Sequence, residues 1–447
     1  MRRLILLAGL MALPTLAWSQ DAQPDTGDTA WIMAATALVL FMTLPGLALF
    51  YGGLVRTKNV LSVLMQCFVI CCLATMIWVT VGYSLAFSGG NGFIGDLSRA
   101  MLSGIGEDTL SGTIPESLFA MFQMTFAIIT PALVVGGFAE RIKFSAMLWF
   151  SALWLLAVYI PVTHWVWASE GWLFKLGLLD FAGGTVVHVT AGVAALVAAM
   201  VLGPRRGFQT TPMLPHNMTM TVTGAAMLWV GWFGFNGGSA LSAGGNAAMA
   251  MLVTHISAAA GALAWSVAEW KRYGKPSALG TVTGMVAGLG TITPASGFVG
   301  PGGAIVIGLT AGVVCFAATN VLKRVLKIDD SLDVFPVHGV GGILGTVATG
   351  IFASDALGVF SGQGYATGMG MGSQLGVQAL GVLATGAYTA VVTYGLFKLV
   401  RVLAGGLRVS SDEELVGLDQ VSHNERTVLL ERTKTEDNQE TLLSLTD

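Results

Sequence analysis

Two histidines stand out as groups able to do chemistry in an otherwise apolar chain. His188 lies in VVHVTAGVAALV (186–197) and His338 in PVHGVGGILGTV (336–347), and each precedes a glycine by four residues. An ionisable group in so apolar a run is costly inside a bilayer and marks a functional path. As neutral imidazoles the two could hydrogen-bond each other, one donating and one accepting, without a fixed charge. The other four histidines read differently. His216 falls in a loop and His423 in the C-terminal tail, both expected to be solvated, while His164 sits near a helix end and is expected to be interfacial. His255 lies among alanines and is expected to pack. Cys67, Cys71, Cys72 and Cys315 all lie in apolar runs, where a thiol behaves as a small hydrophobe. No Cys/His tract has metal-ligand spacing, so neither a metal nor a cofactor is expected. HExxH and GxSxG are absent from the apolar spans, which argues against an intramembrane hydrolase or another enzyme.

The elements that must carry these residues follow from composition. Of 447 residues 54% are apolar and 11% charged, against about 25% charged in soluble proteins. That excludes a soluble enzyme, a disordered chain and a nucleic-acid binder with a basic face. The 59 glycines follow no three-residue period, which excludes collagen. What remains is an all-α polytopic membrane protein.

Residues 1–19 read as a cleaved signal peptide: Arg2 and Arg3, an apolar run Leu4 to Leu16 too short to span, then Ala17-Trp18-Ser19. From Trp31 onward eleven apolar stretches reach the ~20 residues a bilayer requires. Their limits are about 31–54, 60–87, 114–138, 145–168, 184–203, 217–236, 246–268, 277–297, 302–322, 334–353 and 372–400. With the mature N-terminus outside, the loops assigned to the cytoplasm, with the tail, hold 18 of the 22 basic residues. Two more are in the signal peptide, and only Arg99 and Lys175 fall outside. A bias of this size sets the orientation, with a cytoplasmic C-terminus.

Five stretches precede the loop at Arg205, five follow it, and one is left over. Five is odd, so equivalent helices of the two halves (about 31–203 and 217–353) cross in opposite senses. That is the inverted 5+5 repeat plus one extra helix, with the substrate path at the pseudo-symmetric interface. For His188 and His338 to meet there, the fifth and tenth helices must begin deep in the membrane. Asp180 and Asp333 precede those helices, where a carboxylate satisfies free N–H groups and complements the dipole, a structural role.

FYGGLVRTKNV (50–60), GFAERIKFSA (137–146), DFAGGTVVH (180–188), GWFGFNGGSA (231–240), DVFPVHGVGG (333–342) and GLRVSSDEELVGLD (406–419) together resemble the ammonium transporter family (Amt/Mep/Rh), on its bacterial Amt branch. The likeness runs from about Trp31 to about His423. It implies the ammonium-transporter fold, a homotrimer in the bacterial inner membrane, and one pore per subunit. Matching the motifs residue by residue, it implies an outer ammonium site of Trp167, Phe122 and Ser239. Below it come an occluding pair, Phe126 and Phe235, and then the pore histidines His188 and His338. Trp232 and Thr293 match pore-proximal positions, and Asp180 a supporting one. Aromatic faces attract a cation and a serine oxygen accepts an N–H, so the chemistry is consistent.

Phe122 and Phe126, like Phe235 and Ser239, are four apart and share a helix face. Pro336 departs from the pattern, standing where a glycine is common. The tail 404–447 is expected to be regulatory, answering a PII-type cytoplasmic protein. The function implied is recruitment of NH4+, its deprotonation, and passage of ammonia into the cytoplasm, with or without a proton. The alternatives are an ammonium sensor, for which the tail is short, and a channel for another small neutral solute such as urea.

Overall fold

The computed structural model describes residues 23–427; the segment expected to be a signal peptide (1–19) and the tail beyond 427 lie outside the described residues. Among these, ten helices are long and apolar enough to span a bilayer, and an eleventh, shorter apolar helix joins them. We number them α1 (Thr26–Leu54), α2 (Thr57–Phe87), α3 (Glu116–Phe138), α4 (Phe144–Lys175), α5 (Gly184–Leu202), α6 (Met218–Gly237), α7 (Gly245–Tyr273), α8 (Ala278–Ile292), α9 (Pro301–Val325), α10 (Phe335–Phe352) and α11 (Met371–Leu403). Two short helices follow in the tail, α12 (Ser411–Val416) and α13 (Leu418–His423). A two-stranded hairpin, β1 (Leu110–Ser111) with β2 (Ile114–Pro115), leads into α3.

All eleven expected helices are present, and the bundle is all-α. α3 is the most buried span, while α11 packs along α4, α5 and α10 on the periphery with most of its surface exposed. Hydrophobicity cannot sort helices within lipid, so small residues at the crossings do. The two histidine motifs illustrate this. A Cβ on Gly192, four residues after His188, would fall 2.3 Å from the Cα of Gly339. One on Gly342, four residues after His338, would fall 2.8 Å from both the Gly184 carbonyl oxygen and the His188 Cβ. The shared His-x-x-x-Gly spacing therefore has a reciprocal function: each glycine lets the start of the opposite helix approach.

Among the described residues seven helices contain π-helical turns, four of which, in α1, α5, α6 and α10, bear on the site. In α1 the turn Met42–Leu47 contains Pro45, which removes an N–H and displaces the ladder. In α6 the turn Phe233–Gly237 contains Phe235. α5 opens with the turn Gly184–Val189 and α10 with Phe335–Gly339, holding His188 and His338 respectively. Such turns recur at functional sites because the extra residue re-aims side chains. Pro336 falls at the second position of the α10 turn, where the backbone is not asked for an N–H.

Candidate functional site

A line of rings runs through the bundle from the end opposite the basic loops. Trp167 ends the long part of α4, and its Nε1 donates to the Asp180 carbonyl oxygen at 2.9 Å. Its ring lies edge-on to Phe126, with centroids 5.7 Å apart. Phe122, one turn from Phe126 on α3, is also edge-on to it at 5.1 Å. Phe126 meets Phe235 of α6 at 4.4 Å, and both are buried. Beyond Phe235 come His188 at 6.2 Å and Trp232, which stacks on His188 at 5.6 Å. Trp232 is held by its Nε1 bond to the Thr293 hydroxyl at 2.9 Å. Ser239 lies just past α6, and its hydroxyl donates to the Phe235 carbonyl oxygen at 2.7 Å. With the proton so engaged, the oxygen's lone pairs remain as acceptors.

His188 and His338 meet as expected. Their Nδ1 atoms are 3.2 Å apart and their rings stack at 5.2 Å. The two are buried, and Nε2 of His188 has no partner among the described residues. A narrow cavity runs past them between Phe235 and His338, walled by apolar groups such as Ile129, Leu133 and Leu228. At His338 the path meets a wider cavity of about 290 Å³ at the basic end, lined by Tyr273, Lys323 and Asp333 among others.

Asp180 acts at the start of α5 as the residue types suggested. It is buried, accepts from the backbone N–H groups of Gly183, Gly184 and Thr185 at 2.6–2.9 Å, and takes the Thr185 hydroxyl at 2.5 Å. Asp333 does not cap α10, which corrects the expectation from its position. Its φ of +61° turns the chain, and its carboxylate pairs with Lys323 at 2.7 Å. The cap is Asp330, three residues earlier, whose Oδ2 accepts from Phe335 N at 2.7 Å. Burial, with the Asp333 charge beside it, pushes the Asp330 carboxyl up to about 7.

Sequence reasoning missed a second buried network at the basic end, having counted its arginines only as topology charges and its acids not at all. Glu140, at φ +72°, accepts from the Arg56 N–H and Nε at 2.6 and 2.9 Å and pairs with Arg205 at 3.0 Å. Arg205 also grips Asp329 through three bonds of 2.7–2.9 Å. Burial alone would raise the Glu140 and Asp329 carboxyls, but the guanidinium groups outweigh it and hold both below the usual range. Arg141 is wholly buried, binding Ser331 and three backbone carbonyls, and burial pushes its guanidinium down to about 10. The one available signal was the Glu-Arg pair in an otherwise apolar motif.

Three other histidines correct their expected settings. His164 is fully buried, with its two ring nitrogens 2.9 and 2.7 Å from the Ala86 and Asn91 carbonyl oxygens, so it ties α4 to the loop after α2. His216 binds the Val55 carbonyl oxygen at 3.0 Å, and His423 is half-buried, edge-on to Phe144. His255 is exposed on α7, tilted against Trp229 at 5.1 Å. Cys72 is likewise exposed on α2, whereas Cys67 and Cys315 are buried.

The tail closes over the basic end. Arg141 and Lys143 share backbone bonds with Val409 and Leu407. Glu414 of α12, almost fully buried, accepts from Arg206 N and pairs with Arg408, both at 2.7 Å. Asp419 of α13 accepts from Ser62 N at 2.7 Å at the start of α2.

Comparison with known proteins identifies relatives over nearly the whole described chain. An ammonium transporter from Bacillus subtilis (strain 168) is 47% identical over 402 residues, covering 90% of this chain and 98% of that protein. The crystal structure of Saccharomyces cerevisiae Mep2 superposes with a TM-score of 0.80 at 40% identity, covering 88% of this chain and 92% of its own. A solved structure of a sensor Amt protein gives 0.81 at 30% identity, covering 89% and 98%. The family model described as Ammonium Transporter Family matches residues 30–428, nearly the whole described chain, and with these relatives it shows that the chain belongs to that family.

Proposed function

We propose that this protein transports ammonium: it recruits NH4+ at Trp167, Phe122 and Ser239, strips a proton, and passes ammonia along the histidine-lined cavity. The observation that carries this reading is the unbroken succession of Trp167, Phe126, Phe235, His188 and His338 at ring separations of 4.4–6.2 Å. The first subsite suits a cation, with aromatic faces and the free lone pairs of Ser239. The cavity beyond suits a neutral molecule. A bare ammonium there would lose its hydration without a counter-charge, which costs many kcal/mol. Neutral ammonia needs only one acceptor or donor, and the imidazole pair supplies both. The proton left behind has the His188–His338 hydrogen bond as its route.

The basic loops would face the cytoplasm, which places the aromatic site outside, the mature N-terminus in the periplasm and the tail inside. In this reading residues 20–403 form the transport domain of a homotrimer in the inner membrane. The tail, docked on the basic end through Glu414 and Asp419, is the regulatory element and the docking point for a PII-type protein. Proteoliposomes test the proposal. A current on ammonium addition, absent from empty vesicles, supports net positive transport, and flux without current supports passage of the gas alone. No ammonium-dependent flux of either kind, with ammonium still bound, would favour a sensor.

A further inference from the structure

We propose that Asp28, together with Trp31, is a positioning residue for the ammonium subsite: its carboxylate clamps the loop that carries Ser239 against the elements that carry Phe122. The inference deepens the proposed function and rests on it.

Ser239 stands beyond the last turn of α6, in the irregular segment that leads to α7. Little inside that segment would hold it. Leu241 has a φ of +54°, a conformation that a branched apolar residue adopts at an energetic cost. The segment's own bonds are short-range, from Ala240 N to Gly237 O at 3.4 Å and from Leu241 N to Gly238 O at 2.9 Å. An acceptor meant to select a small cation must nonetheless be held to a fraction of an ångström.

The first turns of α1 supply the constraint. Asp28 Oδ1 accepts from Ala243 N at 2.7 Å, and its Oδ2 accepts from the Thr113 hydroxyl at 2.5 Å. Thr113 lies in the β1–β2 turn just before α3, and its carbonyl oxygen accepts from Asp25 N at 2.8 Å. One turn further along α1, Trp31 Nε1 donates to the Gly237 carbonyl oxygen at 3.2 Å. Between these anchors the loop has no slack: a Cβ on Gly238 would fall 2.7 Å from the Ala35 Cβ and 2.9 Å from the Phe122 ring. One carboxylate thus joins three elements: α1, the loop that carries Ser239, and the hairpin turn that leads into α3, the helix of Phe122. Asp28 touches no substrate in this arrangement and acts only through the loop.

A positioning role and a charge role predict different variants. Asp28→Asn keeps the shape. Its amide oxygen can accept from Ala243 N and its amide nitrogen can donate to the Thr113 oxygen, so the clamp survives while the charge is lost. Asp28→Ala removes both bonds. With full-length protein in proteoliposomes, Asp28→Ala should raise the KM for ammonium about fivefold or more while leaving kcat within about twofold. Asp28→Asn should stay within about twofold of wild type in both. Because the clamp acts through Ser239, Asp28→Ala should add little to a Ser239→Ala variant that has itself lost affinity.

Asn as damaging as Ala would overturn the clamp in favour of charge steering, as would fully additive effects or an unchanged KM in Asp28→Ala. If Ser239→Ala itself left KM unchanged, the ammonium-site reading would fail and the clamp with it. Should Asp28→Ala not assemble, Trp31→Phe removes the indole bond to Gly237 while leaving Asp28 and its two bonds in place. It should raise KM in the same way, and a folded Trp31→Phe protein with wild-type KM would overturn the proposal.

Discussion

Nδ1 of His188 lies 3.2 Å from Nδ1 of His338, and only one of the two neutral imidazoles can place a proton between them. The donating ring then has a bare Nε2 and the accepting ring an Nε2–H, so the lumen offers a small solute one acceptor and one donor. The pair is ordered by the helices rather than by solvent. Each ring leaves a π-helical turn, and each sits opposite the glycine of its counterpart's motif.

Replacing both histidines with leucine should leave a folded protein that still binds ammonium but loses transport by about tenfold or more. A single Asp or Glu keeps a titratable group in the lumen and should retain some flux while admitting alkali cations. Wild-type ammonium current in the double leucine variant would reduce the pair to packing.

Trp167→Leu removes the indole face and its bond to the Asp180 carbonyl oxygen. A cation–π contact contributes about 1–2 kcal/mol when partly desolvated, so KM for ammonium should rise roughly 5- to 30-fold. Ammonium titration of flux in vesicles measures this, and an unchanged KM would move the recruitment site elsewhere.

Asp330 provides a pH test with a defined sign. Its folded pKa of about 7 exceeds the ordinary carboxylate value, so its contribution to stability is complete below about pH 4 and is lost as pH rises through 7. Asp330→Asn mimics the protonated form and can still accept from Phe335 N. Its stability relative to wild type should therefore grow between pH 5 and pH 8, on the order of 3 kcal/mol. Thermal unfolding of both proteins across that range is the measurement, and parallel curves would show that Asp330 titrates normally.

Glu414 holds the tail on the basic end through the Arg206 N–H, and within the tail it pairs with Arg408, which in turn donates to the Leu202 carbonyl oxygen. Breaking a largely buried pair of this kind costs about 2–4 kcal/mol. Glu414→Ala should therefore release α12 and α13 to protease while the bundle stays intact. Truncation after Leu403 should impair flux and regulation without preventing insertion, and full, still-regulated flux in the truncated protein would dismiss the tail as a bystander.

Topology is tested by a cysteine placed at Asp108, in the turn that precedes β1, in an otherwise cysteine-free protein. It should react with a membrane-impermeant thiol reagent added from outside, while a tag after Asp447 should be reached only from the cytoplasm. Reaction of the cysteine only after the inner membrane is opened would invert the orientation.

The helices were legible because a bilayer imposes a length and an apolar content that local sequence must meet; among the described residues ten helices meet both, and the eighth, expected over 277–297, stops short at Ile292. The echo between VVHVTAG and PVHGVGG was legible for a related reason. A glycine one turn beyond each histidine is the only residue type that lets two helices touch at their starts, so the crossing is written into the spacing. The ring positions came from the family resemblance, with which the four-residue intervals on α3 and α6 are consistent.

What lay beyond the sequence was every relationship between residues distant in the chain and polar in kind. Asp333 and Asp330 stand at similar distances from α10, and only the turn of the backbone at Asp333 decides which carboxylate reaches the helix start. Glu140, Arg205 and Asp329 are spread over 190 positions yet pair in one buried site, with Arg56 supplying the balancing charge. His164 and His423 read as surface histidines because burial of a polar ring depends on carbonyls and rings supplied by other helices. Hydrophobic pattern is a local quantity and survives in one dimension, whereas the pairing of buried charges is set by which helix ends the fold brings together.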